Sequence, residues 1–266
     1  AGDAVGPVTP GLARHNRSGL AGLGVDLTQH QLSARNLLNV ERVRLGVQAP
    51  APEAFTALKN GHDIVLATMG RMSMEKNQAA LIEALALLRK QDGTEGGGAQ
   101  GLNVGLAIVG SGVLEATLRA RIDSLGLSGH VALLGQMDNP FPVLGGADLF
   151  VLPSLHEGQP VTLLEAMTLG TGVVASDLPG NRELVDLGYG VLSGTSPQDI
   201  AQAIRSALAE PRLAHGDFDV TEHNARSLRD TLAAVLGPEA LHQQPQGKTA
   251  SKRRRRKRAA SRGTPA

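Results

Sequence analysis

The chain contains no cysteine and no tryptophan, and only one tyrosine and four phenylalanines are found among its 266 residues. The absence of cysteine excludes disulfide frameworks and cysteine-ligated metal sites. Because aromatic residues make up 2 % of the chain, the core must be built from Leu, Val, Ile and Ala. No apolar run reaches the roughly 18 residues that a membrane-spanning helix needs, and no signal peptide is recognisable. We therefore expect a protein with an aliphatic core and no disulfides.

Charge is distributed unevenly along the chain. Nine of the 26 basic residues lie between Lys248 and Arg262, a stretch without any acidic residue. The rest of the chain therefore contains 17 basic residues and all 25 acidic residues. The formal charge is thus about −8 in the body and about +9 in the tail, although the net charge is only +1. The two parts are therefore expected to have different roles.

Three parts are predicted along the chain. Residues 1–60 are rich in Gly, Pro and Ala and show weak periodicity, so they are predicted to be an irregular linker that leads into the next part. Residues 61–237 are predicted to form the folded domain. Residues 238–266 contain the basic run and have the composition of a disordered tail.

Short apolar runs alternate with helical patterns in the predicted domain. Strands are predicted at 63–70, 104–110, 130–135, 148–154, 171–177 and 189–193. Helices are predicted at 73–91, 112–127, 138–147 (a short turn), 160–169, 181–186, 196–208 and 221–236. Ser73 and Ser196 are expected to be N-caps, and Gly126 is expected to end a helix. Unbroken apolar strands alternating with helices predict an α/β fold with a doubly wound parallel sheet, Rossmann-like in type.

Ligands of such sheets bind at the carboxyl ends of the strands, so the loops there are the candidates for a site. The turn after the second strand contains Gly110 and Gly112. Glycines at this place either let the backbone approach a ligand or simply satisfy the geometry of the turn, and the sequence leaves both readings open.

Arg71 and Lys76 bracket the turn after the first strand. Two cations beside a helix N-terminus suit a diphosphate, because their charges add to the helix dipole and the free N–H groups. The alternative is a solvated helix start, which the dipole disfavours for cations.

The stretch after the fourth strand reads SLHEGQPVTLLEAM and carries two carboxylates, Glu157 and Glu165. Pro160 suits the first position of a helix, so Glu157 is expected in the loop and Glu165 about 6 Å along the helix axis. A diphosphate at this N-terminus would place a ribose against Glu165 and leave Glu157 for the group beyond the diphosphate. The alternatives are a capping acid at Glu157 and an exposed helix acid at Glu165.

Taken together, GRMSMEKN, the GSG turn, ADLFVLPS, the two glutamates with seven residues between them and VVASDLPGNRELV resemble the donor-binding domain of retaining glycosyltransferases of family 4. The resemblance covers about residues 60–210. It implies the C-terminal half of a GT-B fold, which binds a nucleotide diphosphate-sugar, while a second domain supplies most of the acceptor site. It also implies transfer with retention and no essential metal ion.

The resemblance assigns a role to each matching residue. Arg71 and Lys76 would hold the diphosphate and stabilise the leaving group, Glu157 would contact hydroxyls of the transferred sugar, and Glu165 would bind the ribose. Gln136 and Met137 would meet the base. The donor would further be lined by Gly110, Gly112, Gly158, Gln159, Pro160, Val161 and Thr162.

Two features depart from the family pattern. The family often has E-G-F-G where this chain has Glu157-Gly158-Gln159-Pro160, so the loop against the sugar differs. Residues 1–60 contain no counterpart of the second domain, so we expect the chain to be inactive alone. His62 and His156 are not expected to replace that domain's histidine. A non-catalytic nucleotide-sugar-binding module or pseudoenzyme is the alternative function.

The sequence KRRRRKR at residues 252–258 could bind anionic lipid headgroups, remain solvated, or bind nucleic acid. Nucleic acid is the least favoured partner because no aromatic residue accompanies the basic run. We expect a cytoplasmic protein that can lie at the inner face of the membrane. Its acceptor is expected to be a cell-envelope polymer, lipid or glycan.

Overall fold

Six parallel strands form a single sheet in the described part of the chain. The computed structural model describes residues 40–90, 101–158, 160–185, 189–210, 218–226 and 229, and the described residues up to Asn224 belong to one compact unit. The strands are β1 (Ile64–Met69), β2 (Val104–Val109), β3 (Val131–Gly135), β4 (Leu149–Leu152), β5 (Gly172–Ser176) and β6 (Val191–Ser193).

Helices cover both faces of the sheet. They are α1 (Val40–Gly46), α2 (Glu53–Gly61), α3 (Gln78–Arg89), α4 (Glu115–Ser124), α5 (Phe141–Gly146), α6 (Val161–Thr168), α7 (Pro179–Val185) and α8 (Pro197–Ala209), with a 3-10 helix at Met74–Lys76. None of the described helices is both long and apolar enough to cross a bilayer.

The strand order is β3-β2-β1-β4-β5-β6, and every neighbouring pair is parallel. The direction in which strands are added therefore reverses between β1 and β4. This reversal leaves a crevice at the carboxyl ends of those two strands, where ligands of doubly wound sheets bind. The predicted fold class is confirmed.

The core has two layers because successive strand side chains point to opposite faces. Leu66 packs with residues of α3, α4 and α8 on one face. Val65 and Ala67 pack with residues of α2, α5 and α6 on the other. Since both faces are covered, all six residues of β2 are buried, and this explains the unbroken apolar runs of the sequence.

The prediction that residues 1–60 are irregular is wrong for the part that the structure describes. Helices α1 and α2 lie there, with Val43, Phe55 and Leu58 in the core. These helices are too short for their periodicity to stand out in a stretch rich in Pro and Ala. Residues 1–39 and the predicted tail, 238–266, lie outside the described residues.

Two helix starts were also predicted wrongly. The helix expected from Ser73 is interrupted by Asn77, whose φ of 53° is left-handed, so α3 begins at Gln78. The Ser73 hydroxyl makes no cap bond and instead donates to Glu75 Oε2 at 2.5 Å. Helix α6 begins at Val161, one residue later than predicted, and Pro160 is its N-cap.

Several predicted helix ends are confirmed. Ser196 accepts a hydrogen bond from Asp199 N at 3.2 Å and caps α8. Gly126 has a φ of 69° just after α4. Residues 220–226 are helical, as predicted for the start of a helix at 221–236, and the remainder of that helix lies outside the described residues apart from Arg229.

Candidate functional site

The loops after β1 and β4 meet at the carboxyl edge of the sheet. Leu155 N donates to Glu75 O at 2.7 Å, which joins one loop to the other. Asn77 adds a second link, since its Nδ2 donates to Pro153 O at 3.1 Å and to Thr195 O at 3.0 Å. Asn77 thus ties together the loops that follow β1, β4 and β6.

An ion pair lies where these loops meet. Lys76 Nζ donates to Glu157 Oε1 at 2.5 Å, and the Glu157 side chain is only 8 % exposed. Ser154 Oγ donates to the same oxygen at 2.6 Å. Helix α6 has no side-chain cap bond, so Glu157 does not cap this helix through a hydrogen bond.

Arg71 follows β1 in the same loop as Lys76 and has an exposed side chain. Its guanidinium makes no hydrogen bond or ion pair with any residue that the structure describes, whereas its carbonyl accepts from buried Gln78 Nε2 at 2.9 Å. The pKa of Glu75 is lowered, first by the hydrogen bond from Ser73 and further by the charges of Arg71 and Lys76. The loop after β1 therefore carries one solvent-accessible cation, Arg71, and one partly buried cation, Lys76.

The glycines of the turn after β2 allow its backbone to pack closely against the backbone of the loop after β1. At Gly110, whose φ is 130°, a Cβ would lie 2.0 Å from Gly70 O, and at Gly112 it would lie 2.4 Å from Met72 O. Met72 N donates to Ser111 O at 3.0 Å and completes the contact. The geometry thus accounts for both glycines through turn packing, which was one of the two sequence readings.

The start of α6 offers backbone donors. Its amides at Val161 and Thr162 precede the first helical hydrogen bond, which Leu163 N donates to Pro160 O at 2.9 Å. Gly158 is exposed at the mouth of this turn, and Gln159 lies outside the described residues. The N-terminus of α6 faces the loop that carries Glu157, so an anion can be bound there.

Glu165 is half-buried on α6 and is not the exposed helix acid of the alternative reading. Burial raises its pKa to about 7, and the charge of Arg42 partly opposes that shift. Arg42 belongs to α1, donates to Asp138 O at 3.3 Å and lies 5.5 Å from the centre of the Phe141 ring. No described residue donates a hydrogen bond to the Glu165 carboxylate.

The end of β3 provides the remaining predicted residues. Gly135 ends the strand with a φ of 69°, after which Gln136 is exposed and Met137 is partly buried against the core. Both follow a strand at the same edge as the ion pair, because all the strands are parallel.

Neither His62 nor His156 makes a hydrogen bond to the Lys76–Glu157 ion pair. His62 lies just before β1, at the opposite edge of the sheet, where it bonds Leu58 O and His130 Nδ1, each at 2.8 Å. His156 is exposed. Across the described ranges, no cluster of three or more His, Asp or Glu residues could hold a metal ion.

The chain matches the family described as Glycosyl transferases group 1 over residues 52–216, more than half of its length. The chain belongs to this glycosyltransferase family. The match confirms that the sequence-based resemblance was right about the fold and about a glycosyltransferase domain, whereas the assignment to family 4 and the retaining mechanism stay predictions.

Curated relatives agree with this assignment. The amylovoran biosynthesis glycosyltransferase AmsK of Erwinia amylovora is 32 % identical over 209 residues, which cover 73 % of this chain and 47 % of that protein. The GDP-mannose-dependent alpha-(1-6)-phosphatidylinositol dimannoside mannosyltransferase of Mycobacterium tuberculosis is 28 % identical over 148 residues, which cover 56 % of this chain and 36 % of that protein. The chain spans about half or less of the length of these relatives.

Solved structures show the same fold. Anabaena Alr3699/HepE, in complex with UDP and glucose, has a TM-score of 0.55 at 23 % identity, over 72 % of this chain and 55 % of that one. At this identity the likeness concerns the fold alone.

Sequence reasoning missed several residues that contact or support the predicted site residues in this chain. These are Arg42, Asn77, Ser154, Ser176 and Asn181. A small polar residue at or near the carboxyl end of an apolar strand was the available signal for Ser154 and Ser176. Nothing in the pattern pointed to Arg42 or Asn181.

Proposed function

We propose that the chain is the donor-binding domain of a retaining glycosyltransferase that uses a nucleotide diphosphate-sugar. The observation that carries this proposal is the Lys76–Glu157 ion pair at the reversal between β1 and β4. A cation for phosphate and an acid for sugar hydroxyls share one crevice, beside the N-terminus of α6.

In the proposed complex, Lys76, Arg71 and the first amides of α6 bind the diphosphate. Lys76 has three N–H donors and gives one to Glu157, so two remain for phosphate oxygens. Glu157 accepts a hydroxyl of the transferred sugar. Glu165 lies one turn along α6 and accepts the ribose hydroxyls, while the base lies at Gln136 and Met137.

The proposed reaction breaks the bond between the anomeric carbon and the phosphate oxygen of the donor. The electron pair goes to that oxygen, where the charges of Arg71 and Lys76 stabilise it in the transition state. The acceptor hydroxyl forms the new bond on the same face, and its proton passes to the departing diphosphate. The configuration at the anomeric carbon is then retained.

A cell-envelope acceptor is supported by the names of the relatives. They describe synthesis of amylovoran, mannosylation of a phosphatidylinositol mannoside and synthesis of the lipopolysaccharide core. The choice of acceptor within that class stays open, since the family resemblance assigns most of the acceptor site to a second domain.

Isothermal titration calorimetry with UDP, GDP and ADP tests the proposal. We expect at least one of them to bind, with and without EDTA, and Arg71→Ala and Glu165→Ala to weaken it about tenfold each. Arg119→Ala and Glu83→Ala are matched controls, because these residues form exposed ion pairs on α4 and α3. Failure of all three nucleotides to bind would refute the proposal.

A turnover assay distinguishes the donor-binding domain of an enzyme from a non-catalytic nucleotide-sugar-binding module. If the chain is a non-catalytic binding module, adding the matching second domain of a relative produces no turnover of a bound nucleotide sugar. If it is a donor-binding domain, we expect binding by the chain alone and turnover only in the two-domain enzyme. The presence of Glu157 favours the donor-binding domain of an enzyme, because a carboxylate stands at this position and is hydrogen-bonded by Lys76 and Ser154.

For the basic tail we propose contact with anionic membranes, supported by the nine basic residues between Lys248 and Arg262. Deleting residues 245–266 should reduce co-sedimentation with vesicles that contain phosphatidylglycerol and should leave nucleotide binding unchanged. Vesicles of phosphatidylcholine alone are the control. Unchanged sedimentation with anionic vesicles would contradict the proposal.

A further inference from the structure

The Glu157 carboxylate is held through one of its two oxygens. Oε1 accepts hydrogen bonds from Lys76 Nζ and Ser154 Oγ, at 2.5 and 2.6 Å. Oε2 receives no hydrogen bond from any described residue. Since the side chain is 8 % exposed, its orientation is fixed, and one oxygen remains for a ligand hydroxyl.

Ser154 is in turn held from the neighbouring strand. It is fully buried just after β4, and its carbonyl accepts from Ser176 Oγ at 2.6 Å. Ser176 is the last residue of β5 and is 1 % exposed. The β5 end thus fixes the backbone that carries the Ser154 hydroxyl.

Asn181 on α7 completes the chain of hydrogen bonds. Its Nδ2 donates to Ser176 O at 2.9 Å and approaches Ser176 Oγ at 3.3 Å. The residue is fully buried, and its Oδ1 has no hydrogen-bond partner in the described structure. The opposite orientation of the amide would place Oδ1 against the Ser176 carbonyl, where two acceptors repel, so Nδ2 must face Ser176.

The unpaired Oδ1 indicates that this amide is not placed for stability alone. A buried acceptor without a partner costs free energy, and an apolar side chain of similar size would avoid that cost. The amide instead orders Ser176 Oγ, which can then donate only toward Ser154 O. Three buried polar residues, from the loop after β4, the end of β5 and α7, therefore form a chain of hydrogen bonds that ends at the Glu157 carboxylate.

We propose that Ser154, Ser176 and Asn181 are positioning residues that hold Glu157 with Oε2 turned to the transferred sugar. This inference rests on the proposed function, in which Glu157 meets a sugar hydroxyl. These residues act through Glu157 and touch neither the diphosphate nor the nucleoside. Their loss is therefore expected to weaken binding of the sugar part and to spare that of the nucleotide part.

The test compares a nucleotide sugar with its nucleotide, using UDP-glucose with UDP, GDP-mannose with GDP, and ADP-glucose with ADP. For the pair that binds wild-type protein, calorimetry gives the ratio of the two affinities. We expect Ser176→Ala and Ser154→Ala to lower that ratio about tenfold and to leave affinity for the nucleotide within about twofold. Ser193→Ala is the control, since among the described residues that hydroxyl bonds only Gly194 O, at the end of β6.

A double-mutant cycle distinguishes positioning from general loosening of the domain. In a Glu157→Gln background, we expect Ser176→Ala to cause no further fall in the ratio, because both changes act on one contact. Thermal unfolding identifies any variant that does not fold, and Ser154→Ala then replaces Ser176→Ala in the cycle. Additive losses, or equal losses for nucleotide and nucleotide sugar, would overturn the inference.

The inference and the proposed function can fail separately. Wild-type protein that binds no nucleotide, or binds nucleotide and nucleotide sugar equally, overturns both. A sugar-dependent gain that Glu157→Gln removes and both serine variants retain overturns the inference alone.

Discussion

At the residue scale, the site is determined by how each charged group is solvated. Lys76 and Glu157 compensate each other's burial, whereas Glu165 is half-buried without a hydrogen bond from the described residues and its pKa rises to about 7. A ribose would supply the missing donors. Glu165 is therefore the group whose ionisation should respond most to ligand.

We predict that Glu165→Gln stabilises the ligand-free protein at pH 8 and not at pH 4. The pKa of this acid is raised in the folded state, so folding favours its protonated form, and stability falls as the pH rises from about 4.5 to about 7. The rise of the Glu165 pKa from its ordinary 4.5 to about 7 corresponds to roughly 3 kcal/mol at pH 8. Urea unfolding at both pH values measures this, and an equal effect at the two would contradict the account.

Gly110→Ala should destabilise the domain by roughly 3 kcal/mol, because a left-handed backbone and a steric clash both oppose the new Cβ. That Cβ would lie 2.0 Å from the backbone oxygen of Gly70. Gly61→Ala is the matched control, since nothing lies within 4 Å of its Cβ position. Chemical unfolding measures the free energy of unfolding of both variants. A Gly110→Ala protein as stable as wild type would show that the two loops do not pack as described.

At the scale of elements, apolar runs and caps predicted the strands and most helices, because burial on both faces leaves a strong signal in β1, β2, β4 and β5. The break at Asn77 was not predictable in the same way. An asparagine in the left-handed region has no fixed pattern, and its bonds to Pro153 O and Thr195 O join residues 76 and 118 positions away.

We expect Asn77→Gly to weaken nucleotide binding more than it affects the fold. Glycine adopts the φ of 53° without strain. It removes both side-chain hydrogen bonds to the neighbouring loops, which together contribute about 1–2 kcal/mol to holding the loops in place. Hydrogen exchange should increase in the loops after β1 and β4 and stay unchanged in α3. Asn77→Ala, which also strains the backbone, should be less stable than Asn77→Gly, and the reverse order would contradict this explanation.

In the candidate site, too, residues within a single loop could be predicted from the sequence, whereas contacts between separate loops and strands could not. Glu157, Lys76 and Arg71 were predictable because each follows a strand at a fixed offset within a familiar motif. The chain from Glu157 through Ser154 and Ser176 to Asn181 was not, since it depends on which strands become neighbours. Strand order of this kind emerges only from the packing of the whole sheet.

At the scale of the whole molecule, family membership and fold agree with a nucleotide-sugar domain. The described unit places cations and an acid at the reversal of the sheet, and the N-terminus of α6 lies beside them. We propose that one crevice, between the ends of β1 and β4, binds the diphosphate of a nucleotide sugar.

A crystal structure of the chain with its tightest-binding nucleotide, chosen among UDP, GDP and ADP, would show whether the diphosphate lies in this crevice. The account predicts a diphosphate within hydrogen-bond distance of Lys76 Nζ, Arg71 and the first amides of α6, with the ribose hydroxyls at Glu165. A nucleotide bound away from Lys76 and Glu165 would contradict it.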